Sequence, residues 1–508
     1  MNRQKIVMIG VDAAEMSFIQ AHRGSLPNFD RLLRCGVLQR LQSTAGTMPG
    51  SVWPTFYTGT PPGEHGLYHH LQWDARTMHL RRVTDEWLSA EPFWCDLDRR
   101  GLSVAVADMQ MALSSSLQTG IEIMNWGNHD YVGRFAVKPS HLATEILRRF
   151  GRHPMGDEIP VRKGPAELER IRKNLVSGAR QKGRLSRWLL RLRDWDFFLT
   201  VFGETHRGGH VLWPLAPETQ DGSLRPILDV YQAVDEGIGE VLDAVPDDRT
   251  VLVFALHGMG PNTSQEHFVP AVMDRATELF TTGAHGARPR SSGRDSGRLR
   301  RLLRHSPRQR SLMRRLRETV PPTVQNAIAR AVPVGVRDAV VDGQITGGRD
   351  WDLTLGFALL ADLSGYLRFN LRGRELRGVL DPNGEMLSRY VRWLRECFLG
   401  LRITGTGELL VSDVLLSRDH FPGARSEHLP DVIVTWTGAR PASSIHSDAL
   451  GQITAVLATG RGGNHRAEGF CIRLEPGATR GGEVPAGHIL DLAAFVRARL
   501  LGVPARHP

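Results

Sequence analysis

Cysteine is scarce in this chain. Cys35, Cys95, Cys397 and Cys471 are scattered over 508 residues, and no two of them stand as CxxC. That excludes a disulfide-stapled scaffold and a CxxC metal site; free buried thiols point to the cytoplasm. Long apolar runs are missing too: no window approaches the ~20 residues of a bilayer span. The opening MNRQKIVMIGVDAAEM has an apolar run too short for a signal peptide and reads as a first buried strand. Acid is nearly missing from RLRRLLRHSPRQRSLMRRLRETV, inside a Gly-, Ser- and Arg-rich stretch over 283–318. A solvated insertion or a mobile basic helix is the plain reading there; contact with an anionic surface through 286–317 is the functional one. Aromatic side chains do not interleave with these arginines, which argues against base stacking.

What is present is an ordinary globular composition, 41% hydrophobic and 23% charged. The length exceeds one simple domain and allows a large core with insertions. A net charge of +10, much of it in the arginine block, admits anionic substrates, nucleic acid or acidic surfaces alike.

Apolar runs predict strands over 5–11, 39–43, 103–107, 196–202, 250–256, 353–360, 365–371 and 431–436. Periodic patterns predict helices from Leu26 and over 92–100, 165–192, 226–245, 384–399 and 489–501. Residues 110–160 read as irregular. The alternation argues for an α/β fold, a doubly wound, mostly parallel sheet with helices on both faces. The expected organisation is a first part of the core over 1–275, an Arg-rich insertion over 276–345, and the remainder of the core over 346–508.

The stretch TMPGSVWPTFYTGTPPGEHG, 47–66, opens on the break Pro49-Gly50. Ser51 is placed to cap a short helix whose apolar face is Val52, Trp53, Phe56 and Tyr57. Pro54 fits its first turn, and the helix should end near Thr58-Gly59. A hydroxyl at a helix N-terminus suits a phosphate or sulfate ester, while an ordinary capped helix is the plain alternative.

Strand ends carry the chemistry. The first strand closes on Asp12, either a site carboxylate or a helix N-cap. The strand over 196–202 runs into Glu204, His206, Arg207 and His210, and that over 250–256 into His257. His465 lies in the turn-rich GRGGNHRAEGF. In open α/β sheets such ends converge on one crevice. His206 and His210, four apart, share a helix face and can share an ion. Any one of the 20 histidines is more often structural than a ligand, so the joint pattern carries the argument. Imidazole with carboxylate suits zinc, manganese or iron, one ion or two. Arg207 and Arg466 would hold the anionic oxygens of a small phosphate-ester substrate.

On these residues the chain resembles the alkaline-phosphatase superfamily, most of all its type I phosphodiesterase/nucleotide pyrophosphatase branch. The resemblance covers the strand into Asp12, LPNFDRLLRCGVLQRLQST, WPTFYTGTPPGEHG with its TG-x-x-P-x-x-HG ending, and FGETHRGGHVLW. It continues through VLVFALHGM, YLRFNLRGRE, LPDVIV, GGNHRAEG and DLAAFVRARLLGVP. It implies that Asp12 and His257 hold one metal and that His206, His210 and His465 surround another. The family usually has an aspartate where His206 stands, and Glu204 is close enough to replace it. The family's Asp-His pair is Leu256-His257 here. The family nucleophile, nine residues before the Thr of Thr-Gly, falls on Pro49. Ser51, where the helix begins, is the preferred replacement, and Thr47, in a Thr-x-Pro context, the second. The implied function is metal-dependent hydrolysis of phosphate esters, above all phosphodiesters, with transfer of a phospho-head-group as an alternative. Pro49 and Leu256 also keep open a superfamily member that only binds.

Overall fold

The computed structural model describes residues 4–88, 90–112, 115–128, 133–156, 163–214, 224–283, 332–455, 457 and 460–502. The basic stretch 286–317 falls outside them. Nine strands form one sheet: β1 Ile6–Val11, β2 Val37–Gln42, β3 Val104–Ala107, β4 Ile121–Met124, β5 Ala136–Lys138, β6 Phe197–Phe202, β7 Thr250–Ala255, β8 Glu468–Leu474 and β9 Gly482–His488. Their order is β9-β2-β8-β7-β1-β6-β3-β4-β5. From β7 to β4 the strands run parallel. β8 is antiparallel to both β7 and β2, and β5 to β4. The central strands IVMIGV, FFLTVF and TVLVFA are buried at every residue. Such uninterrupted apolar runs belong to strands covered on both faces.

The covering is helical on both sides, as the βα alternation predicted. One face carries helices Pro27–Cys35, Pro165–Leu190 and Arg225–Leu242, which pack Phe29, Leu32, Leu175, Ile227 and Val234 against Val7, Ile9 and Val253. The other carries Val52–Thr58, Phe93–Arg99 and Leu490–Leu501, with Trp53, Phe56, Phe93 and Val496 against Met8, Leu252 and Phe254. All four cysteines are free, and three are buried. Among the described residues no helix is long and apolar enough to cross a membrane.

The structure departs from the sequence reading at several elements. Residues 110–160, read as irregular, contribute β4, β5 and helix Leu142–Phe150; strands of four and three residues are too short to display a period. The strands expected over 353–371 and 431–436 lie outside the main sheet. Gly356–Ala358, Gly365–Phe369, Val411–Leu416 and Val432–Trp436 form their own antiparallel sheet. Helices Val269–Thr282 and Glu385–Leu399 cover it through Val272, Met273, Tyr390 and Leu394. The connection over 359–364 is too short for a parallel crossover, so these runs pair as hairpin neighbours.

Buried charges line the C-terminal edge of the main sheet. Asp108, directly after β3, pairs with Lys182 of the long helix. It also accepts from the Trp126 and Gly127 amides at 2.7 Å each. The Lys182 ammonium lies 5.0 Å over the Trp126 ring. Glu204 lies 3.0 Å from His153 Nε2, and Arg207 donates to the carbonyls of Gly127 and Gly156. These partners do not match the expectation that Glu204 replaces a metal carboxylate and that Arg207 binds substrate. Both side chains tie helix Glu204–Leu212 to neighbouring loops instead.

Two substitutions test this packing. Lys182→Met strands the Asp108 carboxylate in the interior and should lower unfolding free energy by about 3–5 kcal/mol. Phe254→Ala empties the space between Trp53 and Phe56 and should cost about 3–5 kcal/mol. Urea denaturation measures both, and a loss below about 1 kcal/mol for either contradicts the packing described.

Candidate metal centre

β1 delivers Asp12 to the sheet edge between β6 and β7. The helix that follows is capped by Glu15, whose carboxylate accepts from the Ser17 amide at 3.3 Å. Asp12 is therefore not the cap. The chain turns away through Ala13 at φ 56°, a left-handed conformation uncommon for a residue with a Cβ. Asp12 is fully buried. Its Oδ1 accepts from Trp53 Nε1 at 2.9 Å and lies 3.3 Å from His257 Nε2; its Oδ2 lies 3.0 Å from His206 Nδ1. Burial opposes this charge, but His206 and His257, through charge and hydrogen bonds, hold the carboxyl well below the usual range. At Gly10 a Cβ would lie 3.1, 3.2 and 3.3 Å from Val201, Phe254 and Trp53, so glycine leaves the space in which the indole reaches Asp12.

Helix Glu204–Leu212 starts where β6 ends, and Thr205 Oγ1 donates to the Asp12 carbonyl at 2.5 Å. This fixes the helix over the end of β1. His206 and His210 then stand one turn apart, with their Nε2 atoms 2.8 Å from each other. Glu204 is two residues from His206, about 200° around the helix, so it cannot face the same ion. A short ribbon completes the group. Gly258–Pro261 pairs antiparallel with Gly463–Arg466, which sets Met259 opposite His465. His465 Nδ1 comes to 3.4 Å from His257 Nδ1. His206, His210 and His465 offer ligand nitrogens within 4.8 Å of one another. Asp12, His206, His210, His257 and His465, from separated parts of the chain, thus meet at one place.

The donor chemistry fits a cation. His206 Nδ1 faces the Asp12 carboxylate, and His210 Nδ1 lies 3.1 Å from the Gly463 carbonyl. Both partners only accept, so each Nδ1 is the donor. The two Nε2 atoms lie 2.8 Å apart, a gap that a proton on one ring or a shared cation bridges. Burial pushes His210 and His465 well below the usual imidazole range, helped by neighbouring positive groups that include Arg461. Neutral imidazoles beside an ionised carboxylate are the protonation states that metal binding requires.

The remaining predicted residues sit as follows. Ser51 does not cap helix Val52–Thr58: its own backbone is helical, in the turn Pro49–Ser51. Its buried hydroxyl lies 2.7 Å from the Met48 carbonyl, to which it donates, and 2.8 Å from Thr44 Oγ1. Thr47 is half-buried, and its hydroxyl makes a 3.2 Å bond to the Thr44 carbonyl. Arg466, next to His465, donates to the Pro261 carbonyl at 2.6 Å. Three contributors carry no distinct signal in the sequence. By its spacing Trp53 is only an apolar helix position. Asp362 and Arg461, paired at 2.9 Å, reach the site from the second sheet's 359–364 connection and from the glycine-rich turn before His465. The Asp362 carbonyl accepts from Asn464 at 2.8 Å, beside His465. Only the GRGGNHR run, which places Arg461 four residues ahead of His465, was legible beforehand.

No curated protein matches the chain in sequence. Solved structures do match its fold. Phosphonoacetate hydrolase from Sinorhizobium meliloti 1021, in complex with phosphonoformate, aligns over 98% of this chain and 96% of its own, with TM-score 0.52 and 13% identity. An inactive threonine-to-alanine variant of murine ectonucleotide pyrophosphatase/phosphodiesterase 5, in complex with AMP, aligns over 99% and 96%, with TM-score 0.52 and 10% identity. Identity this low speaks to the fold alone. In sequence, the match to a family profile spans residues 6–333, well over half of the chain, and by it the protein belongs to the type I phosphodiesterase/nucleotide pyrophosphatase family of phosphoester hydrolases.

Proposed function

We propose that the chain hydrolyses phosphodiesters, with a divalent ion in the histidine cluster and Thr47 as nucleophile. The observation that carries the metal is the convergence of the His206, His210 and His465 nitrogens within 4.8 Å of one another, with the His206 and His210 rings held from behind by Asp12 and Gly463. Neutral imidazole donors favour zinc, with manganese or iron as harder-ligand alternatives. A bound ion would polarise the ester and neutralise charge developing on phosphorus oxygens.

Thr47 is favoured over Ser51 by access. The Ser51 hydroxyl is wholly buried and already committed to Met48 and Thr44. Thr47 is half-exposed, and Tyr366 holds its carbonyl at 3.1 Å, fixing the turn. The preceding turn Thr44–Gly46 packs on the strand that carries His465. In attack, the Thr47 oxygen forms a bond to phosphorus, the ester oxygen leaves with the bonding pair, and the hydroxyl proton is released. Water then cleaves the phosphothreonine. Arg461 and Arg466 are proposed to offset substrate charge, in place of the arginine expected at 207. The two structural neighbours hold phosphonoformate and AMP, both small phosphorus-containing anions.

The purified chain should cleave bis-p-nitrophenyl phosphate, lose that activity to EDTA and regain it with zinc. Thr47→Ala should lower kcat about 10³-fold or more, and Ser51→Ala less than about tenfold. Activity untouched by EDTA rejects the metal; wild-type turnover in both variants rejects a nucleophile from this turn.

A further inference from the structure

Resting on the metal-dependent reading above, we infer that the centre holds one tightly bound ion per chain, on His206, His210 and His465. Asp12 orients imidazoles there and is not itself a ligand.

The nitrogens of His206, His210 and His465 lie within 4.8 Å of one another. Three protein donors with an open position are what a catalytic zinc site needs. A second ion would have to rest on Asp12 and His257, whose nearest atoms are 3.3 Å apart. That pair gains nothing from the residue beside it. Leu256 carries no donor and is buried in the apolar cluster with Trp53 and Phe254. Two donors fall short of the three that hold a catalytic ion.

Both Asp12 oxygens face protein nitrogens. Oδ1 accepts from the Trp53 indole at 2.9 Å, and Oδ2 lies 3.0 Å from His206 Nδ1. The second contact fixes the His206 tautomer and turns its Nε2 toward His210. A carboxylate behind a metal-bound imidazole does this work: it orients the ring and raises its basicity. The Gly463 carbonyl does the same for His210 at 3.1 Å. Trp53 in turn holds the carboxylate, so Asp12 and Trp53 are positioning residues for an all-imidazole site.

The test is metal stoichiometry on the full chain. Protein stripped with chelator and dialysed against zinc should retain one ion per chain by elemental analysis. Cobalt substitution should give the visible absorption of a single four- or five-coordinate site that saturates at one equivalent. Asp12→Asn should keep that equivalent with affinity lowered about 10–100-fold; His210→Ala should lose it. Leu256→Asp, which adds the missing donor beside His257, should raise the retained zinc toward two. Two equivalents on the wild-type chain, or complete loss of metal in a folded Asp12→Asn, overturns the inference while leaving metal dependence standing. No retained metal on the wild-type chain overturns metal dependence as well.

Discussion

An ionised carboxylate with no solvent exposure is the constraint around which this molecule is arranged. Unpaired, the Asp12 charge would cost several kcal/mol to bury. It is held by donors from three places: Trp53 on helix Val52–Thr58, His206 on helix Glu204–Leu212, and His257 just after β7. None of these is near another in the chain. His206 and His257 are brought in by the parallel register of β6, β1 and β7, which aligns three strand ends, and Trp53 by a helix packed on one face of that sheet. The same contacts that stabilise the charge also fix the tautomer of His206, so burial and function rest on one set of hydrogen bonds.

Helix Glu204–Leu212 connects two polar systems. On one side Glu204 and Arg207 grip His153 and the carbonyls of Gly127 and Gly156. On the other, His206 and His210 present imidazoles to His465. The lysine–aspartate pair beneath, Lys182 with Asp108, is shielded from water on all sides. Rigid anchoring of this kind keeps the clustered imidazoles from relaxing away from each other. The second sheet adds the opposite wall: its 359–364 connection brings Asp362 to Arg461 and to the strand of His465.

Much of the fold was legible from long apolar runs and helical periodicity. β1, β6 and β7 are apolar without interruption because both faces are covered, and the long helix from Pro165 shows its stripe over many turns. β4, β5, β8 and β9 were not legible: β4 and β5 are very short, β8 begins in the turn-rich run around His465, and β9, GEVPAGH, is a largely exposed edge strand. The site was legible as a set of strand ends. Its members Asp12, His206, His210, His257 and His465 do meet, because a parallel sheet puts every strand's C-terminus on one side. Glu204 and Arg207 share that segment but not that face.

Residue order alone therefore determined the sheet class, its central strands and the identity of the five converging side chains. Those follow from local periodicity and from the polarity of strand ends. Tertiary structure decided how they divide the work. Whether a carboxylate meets an ion or an imidazole nitrogen, and whether a hydroxyl faces solvent or a neighbouring carbonyl, depends on distances of a few tenths of an ångström. Contacts between residues tens to hundreds of positions apart set those distances, such as Trp53 with Asp12 and His465 with His257. No run of adjacent residues encodes such a distance, because it emerges only when helices and strands pack.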